Sequence, residues 1–222
     1  MSVRSSSDLY NDSPIRCSLW GRRGRRETSH DVETENQVDR PTVTERRDLM
    51  LRRGRIIVYT GEGKGKTTAA FGAAMRASGH GLKVAIVQFI KGVWDYGEVK
   101  AVEACSDIEV TRIGSGFTWL AKDPSEPRKL AKEAWAVSKE IVLSGRYDLV
   151  VLDELNCAIA EGYVGVDEVL ALLADRPGEL SIIITGRDAR PEIIGAADTA
   201  TEMRCLKHAF DQGVPARKGI EY

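Results

Sequence analysis

Residues 55–72 read RIIVYTGEGKGKTTAAFG, and this stretch decides the fold. Ile56 to Tyr59 form a short apolar run. Gly61, Gly63 and Gly65 then alternate with Glu62 and Lys64, and Lys66, Thr67 and Thr68 open an alanine-rich segment that reads as a helix stopped near Gly79. A strand, a glycine loop and a helix in that order give a GKT tripeptide the context of a P-loop. The glycines let the backbone wrap with its N–H groups inward, and the helix N-terminus adds partial positive charge. Lys66 is placed to reach the outer phosphates of ATP, the Thr67 hydroxyl to meet Mg²⁺, and Lys64 adds a second cation at the rim. One position departs from G-x-x-x-x-G-K-[ST]: Thr60 stands where the first glycine belongs, and Gly61 follows one place later. Residues Gly61 to Thr68 are therefore expected to hold the phosphate tail, without presuming chemistry at the γ-phosphate.

Working outward, KVAIVQF (83–89), DIEVTRI (107–113), YDLVVLDE (147–154), SIIITG (181–186) and TATEMR (199–204) read as further strands. Helices are expected over 126–143, 166–176 and 190–197. Runs such as VAIV, LVVL and IIIT are apolar on both faces, which a parallel sheet covered by helices requires and a half-exposed antiparallel sheet does not. The expected fold is a three-layer α/β/α sandwich with a mostly parallel sheet, P-loop NTPase-like and specifically RecA-like. One domain is expected over 42–222. Residues 1–41 are rich in Ser, Asp, Glu and Arg with poor periodicity, and are expected to form a disordered extension. Residues 42–53 could form a short helix with Thr44 as a cap.

The chain carries 32 Lys/Arg against 33 Asp/Glu, so bulk charge attracts neither nucleic acid nor an anionic membrane. The local exception is the run Arg22-Arg23-Gly24-Arg25-Arg26. Cys17, Cys105, Cys157 and Cys205 show neither C-x-x-C nor zinc spacing and read as free thiols. With no apolar run of 18 residues and no signal-type segment, the expected location is the cytoplasm.

VVLDE ends a buried strand on the edge where α/β ligands bind. In ATPases an Asp such as Asp153 holds the Mg²⁺ shell, and a neighbouring carboxylate, here Glu154, polarises water. Three further stretches lean away from a motor or a simple kinase: QFIKGVWDYGE (88–98), GSGFTW (114–119) and KHAFDQG (207–213). They supply Gln88, Lys91, Trp94, Phe117 and Trp119 to loops at the strand ends, where aromatics could wall a large planar ligand.

These segments together resemble the P-loop ATP:corrinoid adenosyltransferases. The matching stretches are TGEGKGKTTAAFG (60–72), GHGLKVAIVQFIKGVWDYGE (79–98), GFTW (116–119), VVLDEL (150–155), IIITGR (182–187) and KHAFDQGVPARKGIEY (207–222). The resemblance spans about 50–222 and makes the Thr60 departure the family's own form of the loop. It implies transfer of the 5′-deoxyadenosyl group of ATP to the Co(I) of a reduced corrinoid, either cob(I)alamin or cob(I)yrinic acid a,c-diamide, with triphosphate leaving intact. It further implies that Gly61, Glu62, Gly63, Lys64, Gly65, Lys66, Thr67 and Thr68 bind the triphosphate. Lys66 and Glu154 would be catalytic, and Thr67, Asp153 and Glu154 would hold Mg²⁺ or Mn²⁺. Phe117 and Trp119 match the pair that closes the lower face of the corrin, which favours making Co(I) over the transfer itself. A homodimer, a lid from residues 42–53 and a transient flavin-type electron donor are implied as well. His208 reads as structural, because a strong axial imidazole would oppose reduction of cobalt. The competing readings are a P-loop ATPase or small-molecule kinase cleaving at the γ-phosphate, and a nucleotide-dependent switch with the Arg-rich N-terminus as its binding arm.

Overall fold

Strands β1 (Ile56–Thr60), β2 (Val84–Gln88), β3 (Ile108–Arg112), β4 (Leu149–Asp153), β5 (Ser181–Thr185) and β6 (Thr199–Glu202) form one six-stranded sheet in the order β3-β2-β4-β5-β1-β6. Every strand pair is parallel. The computed structural model describes residues 42, 52–90, 97–114 and 125–221. The expected segments 1–41, most of 42–53, Lys91, Trp94, Phe117 and Trp119 lie outside the described residues.

The strand residues alternate between two cores, which is how a pleated strand buries both faces. Ala85, Val87, Val150, Leu152, Ile182 and Ile184 join one cluster, whereas Val84, Ile86, Leu149, Val151 and Ile183 join the other. The second core is covered by α1 (Lys66–Ser78) and α2 (Gly97–Glu103) through Ala70, Phe71, Ala74, Val99 and Val102. The first is covered by α3 (Ser125–Leu143), α4 (Leu155–Ala160), α5 (Val166–Asp175) and α6 (Pro191–Ala196), which contribute Trp135, Leu155, Leu172 and Ile193 among others. The result is the three-layer α/β/α sandwich expected from the doubly apolar strands. Two short helices, α2 and α4, were not legible in the sequence. Each is under eight residues, too brief for a helical period to stand out.

Parallel pairing brings the C-terminal ends of the strands to one edge. In register, Gln88 lies beside Asp153, Tyr59 beside Thr185, and Thr60 beside Glu202. The sheet order places β5 between the phosphate-loop strand β1 and the acid-bearing strand β4. The loop and the acids therefore face each other across the end of β5, with Thr185 between them.

Candidate active site at the strand ends

The loop after β1 turns on two glycines in the left-handed region, Gly61 at φ +91° and Gly65 at φ +106°. Such angles strain any residue with a Cβ. Gly65 is the N-cap of α1 and offers no side-chain cap, so the first N–H groups of a 13-residue helix begin at Lys66 uncapped by their N-cap residue. The glycine density has a second cause that the motif does not reveal. The chain leaving β6 packs directly on the loop: the Gly63 N–H donates to the Met203 carbonyl at 2.6 Å, and the Met203 N–H to the Thr60 carbonyl at 2.8 Å. A Cβ on either Gly61 or Gly63 would lie 2.6 Å from the Met203 oxygen. The shifted glycine pattern is thus fitted to a neighbouring segment as well as to an anion.

Lys66 is nearly buried at 8% exposure, and its ammonium donates to the Gly61 and Gly63 carbonyls, both at 2.7 Å. Burial holds its pKa below the usual lysine value, while the Glu154 carboxylate works in the opposite sense. Lys64 pairs with Glu221 near the C-terminus at 3.3 Å, and Glu62 pairs with Arg187 at 3.2 Å.

Across the end of β5, Asp153 is fully buried. Its Oδ1 accepts from the Thr67 hydroxyl at 2.9 Å and from the Thr185 hydroxyl at 2.7 Å, and its Oδ2 accepts from Gln88 Nε2 at 2.9 Å. A buried carboxylate requires this kind of hydrogen-bond company. Loop residue Thr67 and strand-end residue Asp153, 86 positions apart in sequence, are therefore in direct contact. Glu154 follows at φ +65°, an unusual conformation for a residue with a side chain. Its N–H is fixed by Thr185 Oγ1 at 2.9 Å, and its Oε2 accepts from the Cys157 thiol at 3.0 Å.

Among the described residues no cluster of three His, Cys, Asp or Glu side chains could hold a metal ion. A nucleotide-bound Mg²⁺ or Mn²⁺ needs only one or two hard oxygen ligands from a protein, with phosphates and water completing the shell. The donors gathered here, the Thr67 hydroxyl and the Asp153 and Glu154 carboxylates, are all oxygen.

Gly61 to Thr68, Asp153 and Glu154 thus meet at one edge. His208 Nδ1 accepts from the Phe210 N–H at 3.1 Å. Phe210 is 76% exposed. Thr185, Cys157, Arg187, Met203 and Glu221 escaped the sequence reading as site residues. One signal could have found Thr185. Four otherwise apolar strands end on polar residues, Thr60, Gln88, Asp153 and Thr185, and all four are buried at the same edge.

Comparisons with known proteins identify the family. The profile of the ATP:corrinoid adenosyltransferase BtuR/CobO/CobP family matches residues 52–222. The corrinoid adenosyltransferase of Escherichia coli (strain K12) is 46% identical over 170 residues, covering 77% of this chain and 86% of that one. Corrinoid adenosyltransferase CobA of Salmonella typhimurium (strain LT2) gives the same identity and coverage. The corrinoid adenosyltransferase of Pseudomonas aeruginosa is 44% identical over 171 residues, 77% of this chain and 84% of that one. Among solved structures, the flagellar accessory protein FlaH of Methanocaldococcus jannaschii aligns with a TM-score of 0.43 at 16% identity, over 70% of this chain and 76% of that one. No described helix is long and apolar enough to cross a membrane. The family's profile spans the whole sheet and both ends of this site, and with relatives up to 46% identical the chain belongs to the ATP:corrinoid adenosyltransferases.

Proposed function

We propose that the protein transfers the 5′-deoxyadenosyl group of ATP to the Co(I) of a reduced corrinoid, cob(I)alamin or cob(I)yrinic acid a,c-diamide, and releases triphosphate. The observation that carries this reading is the Thr67–Asp153 contact, which joins the family's glycine loop to its strand-end acids in one site. Co(I) is the substrate nucleophile. Its electron pair forms the Co–C5′ bond while the C5′–O bond breaks, and the electrons of that bond leave on triphosphate. No general base is needed. The remaining barriers are alignment of the two reactants and the charge gathering on the leaving group.

The residues divide that work. Lys66 and the N–H groups of 61–68 bind the triphosphate and stabilise its developing charge. Thr67 and Glu154 would hold Mg²⁺ or Mn²⁺, and Asp153 orients Thr67 from its buried position. A bound divalent ion supplies further neutralisation of the phosphate oxygens. Phe117 and Trp119 would exclude a lower axial ligand from cobalt, easing reduction of Co(II). The electron would come from a transient flavin-type donor. A homodimer, a disordered 1–41 extension and a lid from 42–53 belong to the same reading.

The test is anaerobic: purified protein, Mg-ATP and chemically reduced cob(I)alamin, with the visible spectrum and the phosphate product followed together. An adenosylcobalamin spectrum with stoichiometric triphosphate is expected. Unchanged corrinoid with ADP appearing would replace this reading by phosphoryl transfer at the γ-phosphate.

A further inference from the structure

Cys157 lies on α4, one turn beyond Glu154, and has a defined hydrogen-bonding position. Its thiol donates to Glu154 Oε2 at 3.0 Å, and its sulfur accepts the Arg187 N–H at 3.3 Å. The backbone that carries the thiol is closely packed. Gly186 packs so closely on the start of α4 that a Cβ there would meet Asn156 Cβ at 2.9 Å and the Cys157 nitrogen at 3.0 Å. Neighbouring Asn156 is fully buried. Glu154 itself sits in a left-handed conformation that a residue with a side chain leaves readily unless it is held. The Thr185 hydroxyl fixes its backbone, and Cys157 fixes its carboxylate.

We propose that Cys157 is a positioning residue: its thiol holds the Glu154 carboxylate in its metal-binding place and ties the end of β4 to the loop after β5 through Arg187. This rests on the reading of Glu154 as a ligand of the divalent ion. Carboxylates that bind metal are commonly oriented by such outer partners. A thiol does this without adding charge beside the phosphates.

The experiment measures the Kd for ATP calorimetrically on the full chain, once with saturating Mn²⁺ and once in EDTA. The ratio of the Kd in EDTA to the Kd with Mn²⁺ isolates the contribution of the metal. Cys157→Val removes the donor at the cost of one extra methyl branch; it is expected to lower that ratio about tenfold while leaving the EDTA value in place. Cys157→Ser restores a donor and should stay within about twofold of the parent. Glu154→Gln is the control and should lower the ratio at least as far. If Cys157→Val binds Mn-ATP like the parent while Glu154→Gln does not, the proposal is overturned and Glu154 keeps its role. If Glu154→Gln leaves the ratio unchanged, the ligand reading fails and takes the proposal with it. Should the valine variant lose its circular dichroism spectrum, Cys157→Ala is read by the same criteria. A serine variant as weak as the alanine one would also overturn the proposal, because a donor alone would then not suffice.

Discussion

The two halves of the site are built in opposite ways. At the end of β1, eight consecutive residues supply backbone N–H groups, two lysines and a hydroxyl, and the geometry follows from glycine freedom and a helix start. At the end of β4, only Asp153 and Glu154 are adjacent in sequence. Their partners Gln88, Thr67, Thr185 and Cys157 come from β2, α1, β5 and α4. An anion cradle is thus a local property of the chain, whereas an oriented carboxylate pair is a property of sheet order. The first half should fail one residue at a time. The second should fail cooperatively, since its members share hydrogen-bond partners.

Substitutions at each end can break this contrast. The largest effect is expected from Lys66→Ala, which removes the cation proposed to face the leaving triphosphate. It should lower kcat/KM for ATP by about 100- to 1,000-fold in the anaerobic assay with pre-reduced corrinoid. Near-normal turnover at saturating ATP would remove Lys66 from the chemistry.

Next comes Thr185→Val, which deprives Asp153 and the Glu154 N–H of a common partner. Leaving buried polar groups unsatisfied should lower stability by about 1–3 kcal/mol in urea unfolding. If the β4 end is cooperative, a double-mutant cycle of Thr185→Val with Gln88→Leu will be non-additive. Simple additivity would show that the two partners hold Asp153 independently.

Gly63→Ala tests whether the loop is fitted to the segment after β6. The new Cβ would meet the Met203 carbonyl at 2.6 Å, so a loss of about 1–3 kcal/mol is expected even without nucleotide. An effect on ATP affinity alone, with unchanged unfolding, would mean that the glycine serves only the phosphates. The smallest effect belongs to Glu221→Gln. Its pair with Lys64 is solvent-facing, so the KM for ATP should change less than about twofold, and less still at high salt. A larger change would make the C-terminal segment part of the phosphate site.

The sequence carried much of the architecture. Strands apolar on both faces call for burial between helices, and GEGKGKTT after such a strand has the form of a P-loop. Asp153 and Glu154 were legible because two acids end a run of Leu and Val. Cys157 was not. Nothing about a lone cysteine four residues past a strand says that its thiol meets a carboxylate, and the six-residue helix that brings it there is too short to show a period. Arg187 and Met203 were hidden for a related reason, since each depends on which strand lies beside which.

By itself, then, the sequence determined the parallel sandwich, the loop that wraps an anion and the acidic strand end, because local propensity and burial pattern act within a few residues. Only the tertiary structure decided that β5 separates the loop from the acids, that Thr185 bridges them, and that the Met203 carbonyl explains the glycines at 61 and 63. Strand order and close backbone approach are contacts between distant parts of the chain, and no local pattern encodes them.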